Sequence, residues 1–289
     1  MDTSSPDLLQ KQDPAPVKTI KRDGLFVFSG PHNGCTVPAC MEPCLGTDKD
    51  WFFEAHEAMD LHVDTLFNAL EKACDNITLI AGNYSRLVCD LNALPDYAIT
   101  RRSPEHAHIT IPQNQPDLCC SKQHARRLEA VYWPYHNTKT ATINEKRNQL
   151  GGAIVLDVHS FSPTWDQKKR NVELGTLRCE KTPFSRAFEA YLRSQSDYLF
   201  VSGEPYRVAE RKQNAAPMIT KNNDLQYLGL EIRNDLISTP EGIDKMVIFL
   251  KKCVEHMEQH PDRATIINPR SAVMPPEAEE PELQQSWSI

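Results

Sequence analysis

The chain has 289 residues, 40% of them hydrophobic and 25% charged, ordinary proportions for a globular protein of one large domain or two small ones. A net charge of −7, partly from Glu277, Glu279, Glu280 and Glu282, argues against a nucleic-acid partner, and no basic stripe offsets it. No stretch approaches the roughly 20 apolar residues of a membrane span, so no membrane partner is expected either.

Residues 1–20 are polar and carry Pro6, Pro14 and Pro16, and are expected to form a disordered arm. No basic region precedes an apolar segment there, so the protein is expected in the cytoplasm, its nine cysteines as reduced thiols. Without a Cys-x-x-Cys pair, a structural zinc knuckle is not expected. Leu25–Ser29 reads as a first strand, running into the turn-rich Gly30-Pro31-His32-Asn33-Gly34. From about Asp60 a helix is expected, with Val63, Leu66, Phe67, Leu70 and Cys74 on one side. Ile77–Ala81 reads as a second strand and Tyr84–Asn92 as a third with polar groups at its end. Residues 95–124 read as a long polar loop, and a helix is expected over about 128–149.

Gly151-Gly152-Ala153-Ile154-Val155-Leu156-Asp157-Val158-His159-Ser160 has the form of a strand buried on both faces of a parallel sheet. A titratable cluster closes it, at the strand end where open α/β sheets bind ligands. Residues 161–180 read as a loop with Trp165, Arg170, Glu173 and Gly175. A helix from Pro183 to about Gln195, a strand Tyr198–Ser202 and a strand Leu228–Ile232 follow. Thr239-Pro240-Glu241 opens the last helix, with Ile243, Met246, Val247, Leu250, Val254 and Met257 on its stripe. Residues 263–289, rich in Pro and Glu, are expected to be a disordered tail. Alternating strands and helices over 25–258 indicate one α/β domain, set at 21–262, with a mainly parallel sheet and helices on both faces.

Several strands end in polar groups: His32, Asp90 with Asn92, His159, Glu204 and Glu231. Parallel strands would bring these to one rim. Two histidines and a carboxylate form the ligand set of a catalytic zinc site with an open position. Glu231, between Leu230 and Ile232, must be paired or hydrogen-bonded if buried; Arg233, on the same face, is one partner to consider. Structural readings stand beside these. His32 can serve as a turn residue, and Asp157 as a partner of His159 or as a strand-end cap. His256 and His260 read as surface groups, the His106/His108 pair as a weak metal pair, and Cys35, Cys119 and Cys120 as ordinary small residues.

Seven stretches in order then resemble the N-formylglutamate amidohydrolase family, itself similar in fold to zinc carboxypeptidases. They are Ser29–Gly34 with Val37-Pro38, His56-x-x-x-Asp60, Ser85–Asn92, Pro134-Tyr135-His136, Asp157–Pro163, Glu204-Pro205-Tyr206 and Leu230–Leu236, across about residues 25–245. The resemblance implies a three-layer α/β sandwich with a mixed, mainly parallel central sheet. It implies a zinc-dependent hydrolase of amide bonds, cleaving a small N-acyl, N-formyl-like amino acid by attack of a zinc-bound water. His32 and His159 match the metal-site histidines, and Asp60 is the third ligand expected, with His56 and His62 as fallbacks. Glu231 matches the general base. Arg86 and Asn92 match the substrate-binding segment, and His136, Tyr206 and Arg233 are further pocket residues. Two departures stand out: Ala93 replaces the family's Arg after Asp-Leu-Asn, and no His lies between Tyr206 and Glu231. They motivate the alternatives of a catalytically impaired ligand-binding member or a carboxypeptidase-like peptidase. Neither the oligomeric state nor the physiological substrate is legible.

Overall fold

The computed structural model describes residues 9–38, 59–100, 121–165, 167–177, 182–206 and 225–267. His56, His106, His108, Cys119, Cys120, most of the 95–124 loop and the tail beyond 267 lie outside them.

In chain order the described strands are β1 (Val17–Ile20), β2 (Phe26–Gly30), β3 (Ile77–Gly82), β4 (Ile154–Phe161), β5 (Thr164–Trp165), β6 (Lys168–Lys169), β7 (Leu174–Leu177), β8 (Phe200–Ser202) and β9 (Gln226–Arg233). The helices are α1 (Val63–Ala73), α2 (Ser121–Arg127), α3 (Trp133–Leu150), α4 (Pro183–Ser194), α5 (Pro240–Glu258) and α6 (Arg263–Ile267). A π-helical turn, Leu128–Tyr132, joins α2 to α3. Seven strands form one sheet in the order β1-β3-β2-β4-β9-β7-β8, and β5 and β6 pair as a small hairpin. The four central strands β3, β2, β4 and β9 are parallel, whereas β1 pairs antiparallel with β3 and β7 antiparallel with β9. The result is a three-layer α/β sandwich with a mixed, mainly parallel sheet.

Strand alternation divides the core. Phe26, Phe28, Leu79, Ile154, Leu156, Val158, Leu228, Leu230 and Ile232 face one side, where they pack with α1, α4, α5 and α6. Val27, Ile80, Val155 and Tyr227 face the other, with Val131, Tyr132, Tyr135 and Ile143 of the α2–α3 rod. Because both faces are covered, the central strands carry few polar groups, His159 and Glu231 among them. Helix ends follow local chemistry. Thr182 and Ser185 cap each other's backbone at the start of α4, the Thr239 hydroxyl accepts the Gly242 N–H at the start of α5, and Gly151 (φ 79°) stops α3 in the left-handed region.

Four expectations change. The arm expected over 1–20 ends in β1, whose pairing with β3 orders Val17–Ile20. Residues 84–92 are turns, not a third strand. The chain leaves the sheet at Gly82, and Val88, Cys89 and Leu91 are buried against the α2–α3 rod instead of in a ladder. That rod grips the segment through Arg127 on the Val88 carbonyl (3.3 Å), His136 on Leu91 (3.0 Å) and Tyr132 on Ala93 (2.9 Å). The loop expected over 161–180 contains a hairpin and β7, whose short Leu-Gly-Thr-Leu run gives little periodic signal. β8 runs with β7 and therefore against the central strands, so its direction does not carry Glu204 to their rim. Instead Gly203 (φ 79°) reverses the chain and lays the Glu204 carbonyl over Gly175.

Candidate metal centre

The carboxyl ends of β2 and β4 bring His32 and His159 together, their ring centroids 5.2 Å apart. Asp60, on the segment leading into α1, comes between them. Its backbone N–H bonds the His32 carbonyl at 2.9 Å, and the Ser160 hydroxyl bonds the Leu61 carbonyl at 2.8 Å. The segment is thereby tied to both strands. Asp60 Oδ2 lies 2.9 Å from His159 Nδ1, and Oδ1 lies 3.6 Å from His32 Nδ1. One ligand atom from each of the three falls within 4.8 Å of the others, all three residues being buried. A tetrahedral zinc with bonds of about 2.0–2.2 Å needs ligand atoms roughly 3.3–3.5 Å apart, so a modest closure of the two rings completes the set.

The second ring nitrogen of His32 is placed as a metal-ligating histidine requires. His32 Nε2 lies 2.7 Å from Asp90 Oδ1, so a proton on Nε2 leaves Nδ1 to coordinate. Asp90 also accepts the Asn92 N–H at 2.8 Å, an Asx turn that fixes both residues. Asn92 Nδ2 donates toward His159 Nε2 at 3.4 Å, so without an ion the His159 proton sits on Nδ1 against Asp60 and is displaced when a metal binds there. Burial, reinforced by the charge of His32, pushes His159 down to about 3, so its ring is neutral near pH 7, the form that binds metal. Burial alone would raise the Asp90 carboxyl, but His32 and Arg86 hold it well below the usual carboxylate range.

Glu231 is paired across the β4–β9 ladder with His159 and shares its face of the sheet. It is 3% exposed, inside the rim. Asn92 also borders the trio. The other expected substrate residues have partners of their own. The Arg86 guanidinium is ion-paired to Asp60 Oδ1, inside the cluster and not in an open pocket. His136 holds the Asp90–Asn92 turn through the Leu91 carbonyl. Arg233 bonds Glu173, Asp235 and the carbonyls of Arg170, Asn171 and Val172, so it pins that segment. Tyr206 lies edge-on to Trp165 with ring centroids 6.4 Å apart. His62 is the residue before α1, in a left-handed conformation (φ 67°) and outside the trio.

Asp157, two residues before His159 on the same face, acts on that ring by its charge and makes its bonds elsewhere. It takes Lys139 at 2.6 Å, Tyr227 at 2.9 Å and the Ser29 hydroxyl. Burial opposes its ionisation, but Lys139 outweighs this and lowers its pKa. Sequence reasoning missed Lys139, which sits on a helix with no apolar stripe to orient it, and the bond of Asp90 to His32. The Asp-x-Asn spacing was the available signal for the latter.

A profile of the N-formylglutamate amidohydrolase family matches residues 25–238. An N-formylglutamate deformylase of Pseudomonas putida is 29% identical over 129 residues, which are 41% of this chain and 48% of that relative; the chain thus spans about half of the relative's length. In fold the chain is similar to the gene product Atu2144 of Agrobacterium tumefaciens (TM-score 0.75, 24% identity) and to an N-formylglutamate amidohydrolase of Ralstonia eutropha JMP134 (TM-score 0.61, 17% identity), each alignment covering 87% of this chain and 100% of the other. With a family match running through every strand that bears the trio, the chain belongs to the N-formylglutamate amidohydrolase family.

Proposed function

We propose that the protein is a metal-dependent amidohydrolase that cleaves a small N-formyl or N-acyl amino acid. The observation that carries this reading is the buried trio His32, Asp60 and His159 with Glu231 in cross-strand register beside it. The donor set, two imidazoles and a carboxylate, fits a divalent ion such as zinc with a position left open. An ion held there would supply a Lewis acid for the carbonyl and would acidify a water. The deformylase and amidohydrolase relatives support N-formylglutamate as the first substrate to try.

The chain's own groups have separate tasks. Asp90 keeps the His32 proton on Nε2. Asn92 borders the open side of His159, positioned to hydrogen-bond the substrate. Glu231 takes a proton from the attacking water and passes it to the nitrogen of the breaking C–N bond, so the products are a carboxylic acid and a free amino acid. Its side chain, closed in by the sheet, is shielded from bulk solvent, so the proton it takes is held close to the departing amine.

The test is turnover of a panel of N-formyl and N-acetyl amino acids by zinc-loaded protein, with Glu231→Gln alongside. The expected result is release of free amino acid by the parent and a loss of about 10²- to 10⁴-fold in the variant, with metal content retained. Absence of turnover across the panel, or a variant as active as the parent, would reject the reading.

A further inference from the structure

An N-acyl amino acid carries a carboxylate, and a site that selects among such substrates needs a cation for it. Most cations near the rim already have an acidic partner. Arg86 is on Asp60, Lys139 on Asp157, and Arg233 on Glu173 and Asp235. Position 93, directly after Asn92, is alanine. Arg170 differs. Its guanidinium carbon lies 5.5 Å from the centroid of Phe161, 4.9 Å from Trp165 and 5.1 Å from Tyr206. Among the described residues its side chain makes one hydrogen bond, from Nη1 to the Ser162 carbonyl at 3.2 Å. Among the described residues no carboxylate pairs with it.

The position is built, not incidental. The Arg170 N–H bonds the Pro163 carbonyl at 2.8 Å, closing the β5–β6 hairpin back on its stem. From the other side Arg233 holds the carbonyls of residues 170, 171 and 172. Three rings around a guanidinium stabilise its charge, and its planar fork of N–H donors suits an anionic ligand. A carboxylate is the ligand that matches that fork with two parallel bonds.

The box also stands beyond the trio along β4. Phe161 is two residues beyond His159 on one face of β4, about 6.6 Å along the strand. Tyr206 follows the Glu204 peptide that crosses Gly175, the residue paired with Glu231. In an N-formyl amino acid the α-carboxylate is roughly three bonds from the formyl carbon, on the order of 4 Å. The distal carboxylate of a glutamate is roughly five bonds away, on the order of 6 Å. The longer reach suits a cation beyond Phe161, where Arg170 stands.

We infer that Arg170, held between Phe161, Trp165 and Tyr206, is the specificity residue that binds the side-chain carboxylate of an acidic N-acyl amino acid. The inference rests on the amidohydrolase reading for where the acyl group lies. It assigns no chemical step to Arg170.

Calorimetric binding in the Glu231→Gln background, zinc-loaded, separates the two ideas. N-formyl-L-glutamate and its neutral isostere N-formyl-L-glutamine are titrated into that protein and into versions that also carry Arg170→Met or Arg170→Lys. The expected result is a preference of roughly 10- to 100-fold for the glutamate ligand, abolished by Arg170→Met and partly kept by Arg170→Lys. In the otherwise native enzyme the ratio of kcat/KM for the two compounds should fall by the same factor in Arg170→Met. A preference that survives Arg170→Met overturns the inference. So does the absence of any preference in the parent, or the loss of the thermal transition in both the Met and Lys variants, which would make the group structural. Wild type that turns over neither compound, with an Arg170-dependent binding preference intact, would instead reject the amidohydrolase reading and leave Arg170 as assigned.

Discussion

Replacement of Asp90 tests the metal centre without touching a ligand. A single oxygen, Asp90 Oδ1, receives both His32 Nε2 at 2.7 Å and the Asn92 N–H at 2.8 Å. In Asp90→Asn the amide oxygen can keep both contacts, so what is lost is the negative charge. A charge-assisted bond is worth roughly twice a neutral one, a difference of about 1–1.5 kcal/mol, or close to tenfold in zinc affinity. Asp90→Ala removes both bonds. His32 is then free to place its proton on Nδ1, the atom that must coordinate, and the Asn92 turn loses its anchor. The expected loss is about 100-fold, near 2.7 kcal/mol. Competition between the protein and a chelator for Zn²⁺ measures both, with thermal unfolding of the metal-free proteins as the control for folding. Parent-like affinity in both variants would refute the assignment of His32 Nδ1 as the ligating atom. Equal losses in both would show that charge, not tautomer control, is what Asp90 contributes.

Lys139→Met leaves Asp157 buried with only the hydroxyls of Ser29 and Tyr227, and should cost about 3–5 kcal/mol in denaturant unfolding; adding Asp157→Asn should recover part of this. Gly175→Ala would drive a methyl group into the Glu204 carbonyl, so the 203–206 reversal must shift. A loss of about 1–3 kcal/mol in stability, seen as a lower Tm, is expected. For His136, burial, with Lys139 adding to it, pushes the pKa down to about 4 from 6.5. Unfolded chain then takes up a proton below pH 6.5 that the folded ring refuses until about pH 4, so stability falls as pH drops through that window. His136→Gln should flatten the slope by at most about 1.4 kcal/mol per pH unit, measured as unfolding free energy at pH 4.5, 5.5 and 6.5.

What the sequence showed, and what it hid, divides along physical lines. β2, β3, β4 and β9 are apolar runs buried on both faces, and α1, α4 and α5 carry stripes or caps. These local signals survive in isolation, so the elements and their order were legible. His32, His159 and Glu231 were visible because polar residues in or after such runs are conspicuous. The 84–92 segment misled because its apolar residues are buried by the facing rod α2–α3 and not by strand neighbours, a tertiary fact with no local trace. β7 has four residues, one of them glycine, and owes its existence to the free edge of β9. The reversed direction of β8 follows from that pairing. The Arg170 box was out of reach for a similar reason. Its rings come from β4, the hairpin and the chain after β8, and nothing in the spacing of Phe161, Trp165, Arg170 and Tyr206 marks them as one cluster.

Of the carboxylates near His159, Asp60 and Asp157 differ in surroundings that explain why one can bind a cation and the other cannot. Asp157 belongs to the strand itself, so it points squarely onto the face covered by α3, where the Lys139 ammonium meets it at 2.6 Å. A cation arriving there would face that ammonium and would have to displace the Ser29 and Tyr227 hydroxyls as well. Asp60 comes from a loop beyond the strand ends. It is free of the strict alternation that sends strand side chains perpendicular to the sheet, and it reaches across the rim to present its oxygens to both Nδ1 atoms. The charge that opposes an ion here is Arg86, a long side chain on a turn and not a lysine locked under a helix. A metal ligand set drawn from two strand ends and a loop is therefore the arrangement that lets three donors converge. The inner carboxylate, equally acidic in composition, instead fastens the sheet to the helix beneath it.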